Sequence, residues 1–228
     1  MDSPTLASPL TGRFVAFEGG DGAGKSTQLE LLAAALRAQG LVDATGRPGL
    51  VVTREPGGTA LGVGIRDLLL HGGAVDAVAE ALLYAADRAQ HVATVVRPAL
   101  ARGALVLADR CLDSSLAYQI EGRQLAEELV RAVNAPATGG LTPDLTILLD
   151  VGQDVAATRL AESERAADRL ERAGGDFHRR VNQRYRDLAA EAPERYAVVA
   201  AAGPVAEVQA RVRAAFDRHA AAWGRTAR

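Results

Sequence analysis

The sequence predicts an α/β fold, a five-stranded parallel sheet flanked by helices, and three observations carry that reading. Five short apolar runs, Phe14–Phe17, Leu50–Thr53, Leu105–Ala108, Leu145–Leu149 and Tyr196–Ala200, are continuous and do not alternate with polar residues. That is the pattern of strands buried on both faces, as in a parallel sheet. Stretches of helical periodicity separate the runs, which implies right-handed βαβ crossovers and an open, doubly wound sheet. The first run also passes through a glycine cluster into a helical pattern. At 228 residues the chain suits one domain with insertions, taken as residues 13–228, behind a short disordered lead-in at 1–12.

The helices follow in order. After the first strand, Leu29, Leu32, Ala33 and Leu36 keep i, i+3, i+4, i+7 spacing, and the pattern stops at Gly40. After the second, Leu61, Ile65, Leu68 and Leu69 repeat it before His71-Gly72-Gly73. Ala79 to Leu100 is long and Ala-rich, with Pro98 marking a kink or a frayed end. Asp154 to Gln183 differs in character: dense in arginine, balanced by acids and, apart from Phe177, nearly free of large apolar residues. Val205 to Trp223 closes the chain as an amphipathic helix.

Bulk properties remove several classes of function. A net charge of -2 gives no electrostatic reason to bind nucleic acid or a membrane surface. No run of about 18 apolar residues exists to span a bilayer. The opening MDSPTLASPLTGR has neither the basic start nor the apolar core of a signal peptide. A single cysteine, Cys111, makes no intramolecular disulfide and fits a reducing cytoplasm. The four histidines, 71, 91, 178 and 219, show no metal-ligand spacing.

The sharpest signal is FVAFEGGDGAGKSTQ, residues 14–28. Gly19, four residues, then Gly24-Lys25-Ser26 satisfies the P-loop pattern, with a strand before it and an amphipathic helix after it. Glycines let successive N–H groups curl toward phosphate oxygens, and the helix N-terminus adds partial positive charge. Of 26 basic residues only Lys25 is a lysine. A compact ammonium on a flexible stem reaches β- and γ-phosphates in a way a planar guanidinium does not reproduce. Ser26 is expected to hold Mg²⁺. The chain should therefore bind a nucleoside triphosphate.

Three more stretches supply pieces of an acceptor site, each at or near the C-terminal end of a strand, where open α/β sheets bind ligands. Thr53-Arg54-Glu55-Pro56-Gly57-Gly58-Thr59 is a rigid turn presenting a cation. Tyr84 and Arg88 lie one helical turn apart, an aromatic plate beside a guanidinium that suits stacking a base and gripping a polar edge. Asp109-Arg110 closes the third strand, with Ser115 and Tyr118 spaced to share one pocket. Asp109 is a candidate metal ligand; Asp150, which also closes a strand, competes for that role.

In this order, FVAFEGGDGAGKSTQ, TREPGGT, LLYAADRAQH, ADRCLDSSLAYQ and TPDLTILLDV resemble the bacterial thymidylate kinase family, P-loop nucleoside monophosphate kinases that convert dTMP to dTDP with ATP for dTTP biosynthesis. The resemblance covers nearly the whole chain. It implies a P-loop NTPase fold with a mobile arginine-rich lid at about 154–180, Mg²⁺ with ATP as donor, and a cytoplasmic homodimer. ATP would lie on Gly19, Gly20, Asp21, Gly22, Ala23, Gly24, Lys25, Ser26 and Thr27. The dTMP phosphate would meet Arg54 and Arg110, with Asp21 near the sugar and phosphate. Tyr84 would stack on thymine, Arg88 would bond its carbonyl edge, and Ser115 and Gln119 would lie by the base. Tyr118 would exclude a ribose 2′-hydroxyl. The metal would sit on Ser26 and Asp109.

The P-loop carries no arginine at Asp21, Gly22 or Ala23, so the catalytic set of Lys25 and Arg110 would be completed by a lid cation. Among Arg159, Arg165, Arg169 and Arg172, the preference falls on Arg165 and Arg169. Two features depart from the family: Cys111 stands where an aromatic or His is usual, and Ile120-Glu121-Gly122-Arg123 follows Tyr118-Gln119. Two rival readings are a kinase for another small acceptor, such as a uridylate, cytidylate or deoxynucleoside kinase, and a P-loop switch or partition ATPase.

Overall fold

The computed structural model describes residues 10–41, 47, 49–163 and 167–226. Five strands, β1 (Phe14–Glu18), β2 (Leu50–Arg54), β3 (Leu105–Asp109), β4 (Leu145–Asp150) and β5 (Tyr196–Ala200), form one parallel sheet in the order β2-β3-β1-β4-β5. Each strand begins where its apolar run begins. The first four run one residue beyond it, and that residue is charged every time: Glu18, Arg54, Asp109 and Asp150. The ladder thus carries polar side chains to the C-terminal edge of the sheet, the edge at which such folds bind ligands.

β1 shows why the runs do not alternate. Val15 and Phe17 pack into one core with Leu29, Leu32, Leu36, Val212 and Phe216, whereas Phe14 and Ala16 pack into another with Val96, Val106 and Ala108. Both faces are covered, so both need apolar residues. A third cluster, around Leu116, Tyr118, Phe177, Val181 and Tyr185, lies beside the acceptor-side turns.

Helix α1 (Lys25–Arg37) buries the four residues its periodicity selected. In α2 (Ala60–His71) the inward face is different: Ile65 and Leu69 are buried with Leu70, but Leu61 and Leu68 are 55% and 57% exposed. The long Ala-rich stretch begins as α3 (Ala77–His91), widens into a π-helical turn at Val92–Val96 and resumes as α4 (Arg97–Ala101). Pro98 sits in the first turn of α4, where its missing N–H is tolerated, so the chain bends its hydrogen-bond register there and the rod continues. A four-residue α5 (Leu112–Ser115) leads into a second π-helical segment, Leu116–Gly122. Then come α6 (Glu127–Thr138), α7 (Gln153–Ala161), α8 (Gly175–Glu191) and α9 (Val205–Thr226). The sequence reading gave α6 and α8 no place as helices. Leu10 is buried against the first core, and Gly12 donates to the Gly103 carbonyl, so residues 10–12 of the expected lead-in are packed. Arg165, at the centre of the expected lid, lies outside the described residues.

Candidate active site

The glycine loop closes over the end of β1. Gly24 caps α1 at φ 90°, in the left-handed region where a side chain is strained, and its turn starts a helix whose first main-chain N–H groups have no partner within the helix. Gly22 has φ 79°, and a Cβ there would come within 2.4 Å of the Ala156 carbonyl oxygen, so α7 packs directly onto the loop backbone. Lys25 folds back, its Nζ donating to the Gly20 carbonyl at 2.8 Å. Burial, then the nearby Arg110 guanidinium, depresses its ammonium to about 8.

Facing the loop is a chamber of about 380 Å³ whose walls include Lys25, Arg54, Arg66, Tyr84, Arg88, Arg110, Ser115, Tyr118 and Gln119. Every acceptor-side residue expected from the sequence therefore meets the P-loop lysine in one cavity. Arg110 is the centre. It holds φ 74°, unusual for a residue with a Cβ, fixed by its N–H on the Phe17 carbonyl, and the turn throws its side chain across the sheet edge. Its guanidinium donates to Asp21 Oδ1 at 2.5 Å, Tyr118 Oη at 3.1 Å, Ser114 Oγ at 3.1 Å and the Gly19 carbonyl at 3.2 Å. Asp21 also accepts from Tyr118 Oη at 2.8 Å. Burial would raise the Asp21 carboxyl, but Arg110 and Lys25 overcome it and hold it below the ordinary carboxylate value.

Beneath the chamber floor, Glu18 at the end of β1 is fully buried and accepts from Cys111 N, Ser114 Oγ and Tyr185 Oη at 2.7–2.8 Å. It fixes the start of α5 and so the turn that carries Arg110. Desolvation dominates there and raises its carboxyl despite Arg110. Cys111 is buried and contributes its backbone: its N–H donates to Glu18 and its carbonyl accepts from Arg88.

Arg88 is spoken for by the protein on several sides. Its Nε donates to Glu55 Oε2 at 2.8 Å, and its terminal nitrogens to Ser115 Oγ, the Cys111 carbonyl and Asn134 Oδ1. Asn134 is oriented in turn by its own Nδ2 on the Val130 carbonyl at 2.8 Å, so its oxygen faces the guanidinium. His91 bonds the other Glu55 oxygen at 2.8 Å and Thr53 Oγ1 at 2.6 Å. Burial alone would raise Glu55; Arg88 and His91 keep it below the usual value.

The site also contains groups the sequence reading passed over. Arg66 was hidden on α2 among leucines; its Nη1 donates to the Pro56 carbonyl at 3.1 Å and it lines the chamber. Burial, then the charge of Arg54, lowers its guanidinium. Glu55 and His91 lie inside the TREPGGT and LLYAADRAQH stretches but were given no task there, and Asn134 had no motif to mark it; together they hold Arg88.

The lid arginines divide. Arg159 lies over the P-loop, donating to the Ala201 carbonyl at 2.9 Å and to Gly22 at 3.5 Å, and lines the chamber. Arg169 does not line it; its guanidinium is taken by Glu80 and the Leu69 carbonyl. Arg172 reaches the Ala167 carbonyl. Asp168 is on the chamber wall.

A divalent ion would find hard oxygen donors where they were expected. Ser26 Oγ donates to Asp109 Oδ2 at 2.5 Å, bringing hydroxyl and carboxylate together at the chamber wall. Asp150 is instead paired with Arg186 at 2.9 Å. Among the described residues no group of three or more His, Cys, Asp or Glu is placed to cage a metal. Two oxygens plus phosphate and water fit Mg²⁺, which keeps waters and shares its ligands with nucleotides.

A parallel sheet of this order, with a phosphate-cradling loop after its central strand and an arginine-lined chamber across from that loop, defines a P-loop phosphotransferase of the small-kinase type. The thymidylate kinase family model matches residues 17–212. The chain is 53% identical over 208 residues to a thymidylate kinase of Bifidobacterium longum (strain DJO10A), covering 89% of this chain and 96% of the relative. It is 53% identical over 205 residues to one of Clavibacter michiganensis subsp. michiganensis, covering 90% and 94%. The crystal structure of thymidylate kinase from Ehrlichia chaffeensis superposes with a TM-score of 0.73 at 29% identity, over 91% of this chain and 99% of that one. The chain belongs to the thymidylate kinase family.

Proposed function

We propose that this chain transfers the γ-phosphoryl group of ATP to dTMP, giving dTDP and ADP. One observation carries the reading: Lys25, Arg110, Tyr84 and Arg88 line one chamber, so a donor tail on the glycine loop and an acceptor base between Tyr84 and Arg88 would bring their phosphates together at Arg110. An oxygen of the dTMP phosphate attacks the γ-phosphorus in line; the new P–O bond forms as the bond to ADP breaks, and the electron pair leaves on ADP. The attacking oxygen is already anionic near neutral pH, so no base is needed. Catalysis is positioning and charge stabilisation.

Each residue has a task in that scheme. Lys25 leaves the Gly20 carbonyl for donor phosphate, and Arg110, preorganised by Asp21 and Tyr118, turns donors toward the acceptor phosphate, with Arg54 and Arg66 adding charge. Arg159 is the lid cation nearest the donor loop. Mg²⁺ held at Ser26 and Asp109 would supply charge neutralisation on the β- and γ-phosphates. Arg88 has donors only, which suits a base with a carbonyl on that edge and disfavours one with an amino group. Tyr118, its hydroxyl tied to Asp21 and its ring edge-on to Phe177 and Tyr185, is the rigid wall against a ribose 2′-hydroxyl.

We also propose a cytoplasmic homodimer. Leu61, Val63 and Leu68 on α2 and Val78 and Leu82 on α3 are exposed, and a second copy closing on these two helices would cover them. No helix among the described residues is long and apolar enough to cross a membrane. Measuring ADP release with dTMP, dUMP, UMP and thymidine side by side tests the acceptor. Turnover should be greatest with dTMP; indifference to all four would return the chain to the switch or partition ATPase reading.

A further inference from the structure

Glu80 stands outside the chemistry described so far, yet it is fully buried and receives more guanidinium than one carboxylate needs. It lies in the first turn of α3, one turn before Tyr84. Gln119 Nε2 donates to it at 3.1 Å, Arg123 through Nε and Nη2 at 3.1 and 3.0 Å, and Arg169 through Nη2 at 2.5 Å. Arg169 is anchored a second and third time, its Nε on the Leu69 carbonyl at 2.8 Å and its backbone N–H on the Leu70 carbonyl at 3.2 Å.

The chain around Arg169 is a strap, residues 167–173, laid along the chamber. Asp168, Leu170 and Glu171 line the cavity, and Leu170 is buried in the same cluster as Ile65, Leu69 and Phe177. Arg169 alone among these neighbours turns the other way, to Glu80. We infer that Glu80 is a positioning residue that latches the strap over the acceptor base through Arg169, with Arg123 as the counter-charge that stays behind.

The stoichiometry makes this latch releasable. Removing a partner from a buried ion pair normally strands a charge in low dielectric. Here Arg123 keeps two bonds to Glu80 and Gln119 a third, so Arg169 can leave for water without orphaning the carboxylate. Glu55, by contrast, is bonded by one guanidinium, that of Arg88, with His91 on its other oxygen. Burial would raise the Glu80 carboxyl, but the hydrogen bonds from Arg123 and Arg169 hold it below the ordinary value. Glu80 also ties to the acceptor side through Gln119 from the second π-helical segment, one helical turn from Tyr84 on its own helix.

The proposal deepens the dTMP kinase reading, and its test keeps the two apart. Hydrogen exchange on the full chain without nucleotide should show the amides of Leu170–Ala173 exchanging at least tenfold faster in Glu80→Gln and in Arg169→Gln, with β1 and β3 unchanged. In steady state both variants should raise KM for dTMP about tenfold while KM for ATP and kcat stay within about threefold. The double variant should be no worse than Glu80→Gln alone, because that variant has already weakened the contact Arg169 makes with it. Arg169→Lys, which can reach Glu80 but not also the Leu69 carbonyl, should recover part of the loss. If Glu80→Gln fails to fold, Arg169→Gln leaves Glu80 paired with Arg123 and decides alone. Unchanged strap exchange, additive losses, or a fall in kcat of a hundredfold with KM intact would overturn the latch, the last by returning Arg169 to the phosphoryl group. Failure to phosphorylate dTMP would sink the acceptor reading while the exchange measurement still judges the latch.

Discussion

At the scale of single residues, this site is a set of cations held ready by carboxylates. Lys25→Ala should lower kcat about a hundredfold or more while circular dichroism shows the fold retained. Glu55 is the clearest structural test. It is buried with Arg88 and His91 bonded to its two oxygens, and Glu55→Ala should cost about 3–5 kcal/mol in urea unfolding because it strands a buried guanidinium. Its folded carboxyl is depressed below the ordinary 4.5, so its contribution is present above that pH and is lost as pH falls toward the folded value. The stability gap between the native chain and Glu55→Gln should therefore shrink on acidification below about pH 4.5, read by denaturation at stepped pH. The chamber-lining residues Arg54, Tyr84, Arg88, Arg110, Ser115 and Tyr118 were legible because side chains of a particular chemistry stand there at a recognisable spacing. The supporting tasks of Glu55, His91, Asn134 and Glu80 were not, even though Glu55 and His91 lie inside quoted motifs, since a residue that serves another side chain is marked only by the fold that joins them.

At the scale of elements, the strands were readable almost to the residue, because burial on both faces leaves an unbroken apolar run. Their charged last residues were not included, since ladder hydrogen bonding ignores side-chain polarity. α2 was located correctly and turned wrongly: Leu61 and Leu68 fit the period but face outward, and the true inner face runs through Ile65, Leu69 and Leu70 beside Arg66. The arginine-dense segment was read as nearly lacking apolar anchors, yet Leu170 is one. The β3–α5 turn depends on Glu18 receiving the Cys111 and Ser114 N–H groups. Glu18→Ala should let Arg110 drift and lower kcat/KM for dTMP about a hundredfold, with binding of an ATP analogue by calorimetry little changed.

At the scale of the whole molecule, the apolar outer sides of α2 and α3 are expected to close on a second copy. Leu61→Asp combined with Leu82→Asp should give a monomer by sedimentation velocity, and an unchanged mass would remove that face from the assembly. The choice of arginine for every cation but Lys25 has a practical corollary. A protease specific for lysine has one bond to cut in the entire chain, and that bond begins α1 beside a buried lysine tied to the loop backbone. Its rate of cleavage is then a clock for how often the first turn of that helix opens. Occupancy by a non-hydrolysable donor nucleotide should slow the clock in proportion to its affinity, a readout of triphosphate binding that owes nothing to turnover.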